Sequence, residues 1–536
     1  MRDNGPQQVW FWFLALVIGV CAGLAALSFR LGIEELQAFL YQTEDVNRLR
    51  SWAETLPWYW ILVIPMGGGL VVGVILNTFT PDGRVRAVAD VIEGSALSEG
   101  RVEMRAGLGS ALASFITLST GGSTGREGPV VHLAAVISTW ISTRINASGI
   151  TGRDLLGCAV AGAVSASFNA PIAGALFALE VVLRHFAVHA FAPIAIAAVS
   201  GTVINRLRFG DVTEFILPRE GGVAFYVELP AFLLLGVVAG IVAVLLMRSV
   251  FVAETLADHF QKKTGLPPVL RPALAGLLLG GLAIWFPHII GVGYETMSDA
   301  LTGRFLFHEA VVFVVLKIIA VAITMAGRMG GGMFSPALMV GALTGLAFGL
   351  VATALLPEVS GYATVYALAG MGAVAAAVLG APISTTLIVF ELTGDWQTGI
   401  AVMVSVSLSS AIASRIVDRS FFLTQLERRG KRLAAGPHVY LLSEVDVGRV
   451  MRKLGDADAA SEETCWNLIE KGTYVDRHAS LDVALGLFDT SDSAVIPVVT
   501  ISGEGEAPEL WGSLHHVDAL MSYNRALAET AAEEHS

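Results

Sequence analysis

The sequence predicts an all-α membrane protein with a small α/β domain appended at its C-terminal end. Three observations carry that prediction. Of 536 residues, 54% are hydrophobic and only 15% charged, where a soluble domain carries about 25% charged residues. Runs nearly free of charge follow one another as far as residue 414. An ordered set of landmarks in the first half recurs in the second at an offset of about 210 residues.

The same composition narrows the function. The net charge of -12 comes mostly from acids after about residue 440, and no basic stripe offers a nucleic-acid surface, so nucleic acid is not an expected partner. Cys21, Cys158 and Cys465 are scattered, with neither a metal-ligand spacing nor a disulfide framework. No nucleophile set or phosphate loop points to an enzyme, and no cofactor or metal is expected.

Val9–Phe29, a run without a charge and with no convincing cleavage site, reads as a retained membrane helix rather than a signal peptide. Leu56–Pro81, Ala106–Gly125, Leu155–Leu179, Phe186–Asn205, Leu229–Met247 and Ala273–Tyr294 follow. Val311–Gly327 holds a single Lys317, and Met329–Pro357, Val359–Phe390 and Trp396–Ser414 complete the series. Several exceed the ~20 residues of one span and are interrupted by Gly and Pro. That combination predicts broken or re-entrant helices lining a cavity rather than a bundle of straight spans.

The repeat supports this. Gly162-Ala163-Val164, Ala170-Pro171-Ile172 and Glu180 recur as Gly372-Ala373-Val374, Ala381-Pro382-Ile383 and Glu391, each Glu nine residues after its Pro. Upstream of each copy lies a Gly-rich loop closed by a proline, Gly125–Pro129 and Gly332–Pro336. Two duplicated halves, about 9–250 and 268–426, meeting through broken helices are the architecture of a transport protein. Beyond them, Glu427-Arg428-Arg429-Gly430-Lys431-Arg432 is basic and places that end in the cytoplasm. Residues 427–442 read as a linker and 443–528 as α/β, with a helix over Ser480–Phe488, a strand over Ala494–Val499 and a helix over Val517–Met521. The polar tail 529–536 is expected to fray.

The chemistry concentrates in Gly121-Gly122-Ser123-Thr124-Gly125-Arg126-Glu127-Gly128-Pro129. A Gly-rich loop running into a helix leaves forward-pointing N–H groups, and the helix dipole adds positive charge there, so such an end binds anions. Glu127 can compete with a permeating anion for those amides, and an acid at membrane depth points to function. It can also simply cap the first turn of the helix.

These motifs resemble the CLC family of chloride channels and chloride/proton exchangers, over roughly residues 9–426. Gly125–Pro129 matches the GREGP signature and Gly332-Met333-Phe334-Ser335-Pro336 the GxFxP signature. The resemblance implies inverted repeats of broken, tilted helices in a homodimer with one pore per subunit. It implies Glu127 as the gating acid, an anion site at the helix end of Gly125, Arg126 and Gly128, and anion binding by the Met333 and Phe334 amides.

Three departures bear on mechanism. Counted back from Glu127, the family's anion-coordinating serine falls on Arg86, and its anion-coordinating tyrosine falls on Phe422, so both hydroxyl donors are missing. Arg86 either replaces them with its own donors, faces water, or pairs with Asp82 or Asp90. At the exchangers' proton-relay position stands Val181, directly after Glu180, as in the family's channels. Glu180 and Glu391 are expected to cap backbone amides across the repeat interface.

The C-terminal region resembles a CBS (cystathionine-β-synthase-type) unit through Val447–Met451, Pro497–Val499, Gly512 and Asp518. Asp518 is the candidate contact to a nucleotide ribose, but His515 replaces the usual hydroxyl residue, which favours a structural role.

The expected function is membrane transport of chloride, or a similar small anion such as bicarbonate, nitrate or fluoride, through a Glu127-gated path. Val181 favours passive permeation. The alternative is a chloride/proton antiporter with a rerouted proton path, for which His185 and His189 are the nearest titratable side chains. The setting is the plasma (bacterial inner) membrane, in contact with lipid, with both termini in the cytoplasm.

Overall fold

The computed structural model describes residues 5–43, 45–147, 149–186, 188–211, 216–217, 225–431, 433, 445–456, 458–491, 493–500 and 508–535. The chain divides into two units, Arg2–Phe186 with Ala190–Leu433, and Ala434–Ser536 together with Met1 and Ala187–His189.

The first unit is helical. Among the described residues, seven helices are long and apolar enough to cross a membrane: Val9–Tyr41, Trp58–Phe79, Ala190–Phe209, Val227–Thr264, Phe307–Ala326, Phe334–Leu355 and Trp396–Arg428. Trp58, Trp285 and Trp396 stand exposed at helix ends, as membrane-interface aromatics do. In chain order the elements used below are α1 (Gly5–Tyr41), α2 (Leu49–Ala53), α3 (Trp58–Phe79), α4 (Val88–Leu97), α5 (Met104–Ser119), α6 (Glu127–Arg144), α7 (Gly149–Phe168) and α8 (Pro171–Phe177). α9 (Val188–Phe209) and α10 (Phe225–Thr264) complete the first half, and the second contributes α11 (Leu270–Trp285), α12 (Tyr294–Leu301), α13 (Phe307–Ala326), α14 (Phe334–Leu355), α15 (Ala363–Leu379), α16 (Pro382–Thr393), α17 (Trp396–Ile416) and α18 (Phe421–Arg428).

The overlong apolar runs are broken at the same place in both halves. α7 ends at Phe168, Asn169 turns left-handed at φ 57°, and Pro171 opens α8. In the second half α15 ends at Leu379, Gly380 turns left-handed at φ 70°, and Pro382 opens α16. A left-handed residue followed by a proline at the first helical position ends one helix and starts the next without losing a usable N–H. α8 continues as a π-helical turn, Ala178–Leu183. α15 has 17 residues, fewer than one span requires, and is buried from Val365 to Leu379. Such a helix belongs inside the protein, surrounded by the longer, half-exposed ones.

Two expectations need correction. The first helix does not stop near Phe29 but runs to Tyr41, because Arg30 and Glu34 pair at 2.7 Å one turn apart and Arg30 also lies over the Phe209 ring. At the other end of the chain, the segment expected as a frayed tail is helical as far as His535. Its Ala- and Glu-rich sequence favours helix strongly enough to continue the preceding one.

The second unit is a four-stranded sheet in the order β1 (Arg452–Lys453), β4 (Glu509–His515), β3 (Val495–Thr500), β2 (Val475–Asp476). β3 pairs antiparallel with β4 and parallel with β2. The expected strand is β3, and the expected helices are found at Leu481–Ser491 and His516–His535. Val447, Leu481, Phe488, Ile496, Val498 and Leu514 form its core. Most of residues 427–442, expected as linker, lies outside the described residues, although α18 extends into it as far as Arg428.

Candidate functional site

The two signature loops are joined to each other. The Gly125 amide donates to the Gly332 carbonyl at 2.8 Å and the Gly332 amide donates to the Gly125 carbonyl at 2.7 Å. Thr124 Oγ1 adds a bond to the same Gly332 carbonyl at 3.0 Å, and Thr324 Oγ1 accepts from the Ser123 amide at 3.1 Å. Immediately after this bridge the chain turns into α6 on one side and α14 on the other, so two helix N-termini converge on one place.

Their first turns are built alike. Arg126 and Met333 occupy the cap positions with nearly the same backbone angles, φ -86° and -90°. Val130 donates to the Arg126 carbonyl at 3.2 Å and Ala337 to the Met333 carbonyl at 3.1 Å. Pro129 and Pro336 fill the third helical position, where an N–H would find no helical partner in any case. The amides of Glu127, Gly128, Phe334 and Ser335 then open the two helices, with the dipoles adding positive potential. Phe334 anchors α14 against the first half, its ring centroid 4.5 Å from Phe168 and 5.8 Å from Phe177.

Glu127 lies in the gap. It is 3% exposed, and Ser335 Oγ donates to its Oε1 at 2.5 Å. Oε2 folds back over Gly125, where a β-carbon would come within 2.5 Å of it and 3.1 Å of the Ser335 nitrogen, so a side chain at this position would push on the carboxylate. Oε2 itself makes no hydrogen bond among the described residues.

A cavity adjoins the site on each side. One, of about 60 Å³, reaches Arg126 and is lined also by Arg30, Arg50, His288, Tyr294 and Glu295. The Arg126 guanidinium sits 5.4 Å from the centre of the Tyr294 ring. The other, of about 270 Å³, ends at Gly330 and Gly331 and carries Arg84, Arg271, Arg328, Arg428 and Arg429 against the acids Glu254 and Asp258. In the larger cavity five arginines face two acids, an excess that favours anions, whereas in the smaller one Arg30 and Arg50 pair with Glu34 and Glu295 and Arg126 adds the further positive charge.

Residues 68–414 match the family described as Voltage gated chloride channel. The chain is 31% identical, over 73% of its length and 91% of the relative's, to the ClcB-like chloride channel protein of Ralstonia nicotianae. It is 28% identical to the voltage-gated ClC-type chloride channel ClcB of Escherichia coli O81, over 77% of this chain and 97% of that one. The chain belongs to the CLC family. The fold agrees: a slow cyanobacterial Cl-/H+ antiporter superposes with a TM-score of 0.69 at 21% identity, covering 78% of this chain and 97% of its own. A eukaryotic CLC transporter superposes at 0.66 and 17% identity, covering 95% of this chain and 97% of its own. This is an integral membrane transport protein of the CLC type and not an enzyme.

Within the CLC frame, the structure changes the reading of two site residues. Gly125 does not present its amide to an anion, since that N–H is taken by Gly332; it holds the loop. Arg86 is engaged by carboxylates, including Asp82, one of the partners its sequence position offered. Its Nη1 bonds Asp82 Oδ2 at 2.9 Å, its Nη2 bonds Glu103 Oε2 at 2.9 Å, and its amide donates to Ser110 Oγ at 2.8 Å. Asp90 lies 3.9 Å away. Three carboxylates around one guanidinium leave it little to offer an anion. Phe422 is buried at the start of α18, with its ring 5.9 Å from that of Phe421.

Glu180 accepts from the amides of Ile383 at 2.9 Å and Ser384 at 2.8 Å, and from Ser384 Oγ at 2.7 Å. Glu391 accepts from the amides of Ile172 at 3.0 Å and Ala173 at 2.8 Å. Val181 is buried in the π-helical turn. The side chain of His189 lies outside the described residues.

Two side chains with evident work escaped the sequence reading. Ser335 occupies a variable position of its signature, and only its hydroxyl beside the first amides of α14 signals it. Lys317, fully buried in α13, donates to the Gly291 carbonyl at 2.9 Å, and Gly291 in turn bonds the Gly121 carbonyl at 3.1 Å. A lone cation in an apolar run is the signal for such a clamp on neighbouring backbone. Among the described residues no cluster of His, Cys, Asp and Glu is placed to hold a metal ion.

In the C-terminal unit Asp518 is bound by Arg452, Nε to Oδ2 at 2.7 Å and Nη2 to Oδ1 at 3.1 Å. That hydrogen bond holds its carboxyl below the usual range. Both carboxylate oxygens are therefore engaged, which leaves little for a ribose.

Proposed function

We propose that this CLC protein carries chloride passively through a path that the Glu127 carboxylate closes. The observation that carries the reading is the position of that carboxylate, in the gap between the N-termini of α6 and α14 and between two arginine-lined cavities. While charged, it fills the gap in front of donors that a dehydrated chloride would need; protonated or displaced, it leaves that place to the anion. The Gly128, Phe334 and Ser335 amides, with those of Arg126 and Met333 at the caps, form the anion site.

Passive transport is favoured because Val181 cannot carry a proton and Glu180 is occupied with the amides that open α16. Arg86 is assigned to shaping the loop before α4, and the C-terminal unit to structure or to stabilising a homodimer. The same reading puts the protein in the plasma membrane with its basic segment after α17 on the cytoplasmic side.

The test is flux from liposomes with chloride and pH electrodes read together. Chloride movement without stoichiometric uphill proton movement is expected. Uphill proton movement that disappears in Glu127→Ala would establish an antiporter instead.

A further inference from the structure

The bond that closes the gap comes from a side chain to which neither signature assigns a role. Ser335 stands second in α14, is 1% exposed, and donates its hydroxyl proton to Glu127 Oε1 at 2.5 Å. Its backbone nitrogen lies on the same side of Gly125 as Oε2. The hydroxyl of Ser335 thus holds one oxygen of the carboxylate, while Oε2 makes no hydrogen bond among the described residues.

Beyond the first amides of α6 and α14, donors are few at this place. Pro336 removes the third amide of α14 and Pro129 the third of α6. Gly125 and Gly332 use their amides on each other. Arg86 is held by carboxylates, and Phe422 has no hydroxyl.

A serine hydroxyl has one proton and gives it to whichever strong acceptor is in reach. Here that acceptor is Glu127 while the carboxylate fills the gap. We propose that, once the carboxylate has left, the Ser335 hydroxyl binds the permeating anion, so that one donor serves first as the latch on the gate and then as a ligand of chloride. This rests on the gating reading of Glu127. A hydroxyl donating to a charged acceptor in a site shielded from water makes a strong bond, and its loss should be visible in affinity.

Chloride titration calorimetry on the purified full-length protein tests it, in a background without the gate. Glu127→Ala is compared with Glu127→Ala/Ser335→Ala and Glu127→Ala/Ser335→Thr. The alanine pair is expected to bind chloride about tenfold more weakly than Glu127→Ala, and the threonine pair to stay close to it. Should the alanine pair fail to fold, Ser335→Cys, of similar size with a weak donor, replaces it with the same expected direction. Chloride affinity equal to that of Glu127→Ala in a folded variant without the hydroxyl overturns the proposal. The gating reading fails on a separate result, unchanged pH-dependent flux in Glu127→Gln.

Discussion

Glu180 and Glu391 cap each other's helices. Glu180, in the turn that continues α8, binds the first amides of α16; Glu391, near the end of α16, binds the first amides of α8. Each carboxylate answers the orphan donors and the positive dipole end of a helix in the opposite half. The duplicated halves are therefore locked by a crossed pair of bonds in addition to apolar packing. Removal of either carboxylate strands at least two amides, so Glu180→Ala and Glu391→Ala should each destabilise the fold by about 1–2 kcal/mol. Thermal unfolding in detergent checks this, and flux per folded molecule should change little. A melting point equal to wild type in both variants would show that the caps are dispensable.

The gate prediction concerns one charge. Glu127→Gln keeps size and shape while removing the negative charge, so its flux should lose its dependence on pH and resemble wild type at acid pH. Glu127→Ala should open the path outright. Both are read from chloride efflux out of liposomes between pH 4.5 and 7.5. Wild-type pH dependence in Glu127→Gln would remove Glu127 from the path.

Arg86 is predicted to matter for stability before transport. Burial pushes the Asp82 carboxyl up, but the hydrogen bonds and charges of Arg86 and Arg84 outweigh that and hold it at about 2. A carboxyl held below its unfolded value of about 4 contributes stability that is complete above that pH and is lost as the pH falls towards 2. Arg86→Ala should lower the melting point at neutral pH, equivalent to about 1 kcal/mol of unfolding free energy, since it removes the half-buried partner of Asp82 and leaves that carboxylate to Arg84 alone. Its deficit against wild type should narrow between about pH 4 and 2, because the wild type is losing the same contribution there. Melting curves at pH 7, 4 and 3 decide it. A chloride affinity reduced tenfold with an unchanged melting point would return Arg86 to the anion path.

Much of this was legible in the chain. The left-handed turn and proline that break each half are written as Asn169-Ala170-Pro171 and Gly380-Ala381-Pro382, and the crossed caps follow from an acid nine residues beyond each proline. The convergence of the two signature loops was legible only as a shared offset; that Gly125 and Gly332 bond each other depends on how the halves meet. Arg86 could not be placed because Glu103 is 17 positions along, beyond α4 in the loop before α5, and no local pattern reveals that partner. The Ser335 hydroxyl was hidden for the same reason, its acceptor being 208 positions away. What the sequence hides here is long-range polar pairing, which has no period to read.

The last prediction concerns coupling, and Val181 carries it. A proton bound for Glu127 from the cytoplasm must pass apolar surroundings, which offer no route without a titratable side chain or water. Val181 is buried and apolar at the position where the family's exchangers place a glutamate, and the neighbouring acid Glu180 is engaged with two amides and a hydroxyl of α16. An imposed chloride gradient should therefore drive anion flux with no uphill proton movement. Val181→Glu alone should not create coupling, because a new carboxyl at one point leaves the rest of the distance to Glu127 without a carrier, and it should destabilise the π-helical turn that buries it. His185 is half-buried four residues on, so His185→Ala should leave the flux ratio unchanged. Paired electrodes on liposomes carrying wild type, Val181→Glu and His185→Ala read all three outcomes. A wild-type proton signal that His185→Ala abolishes would reveal a detour through that histidine and make the protein an exchanger.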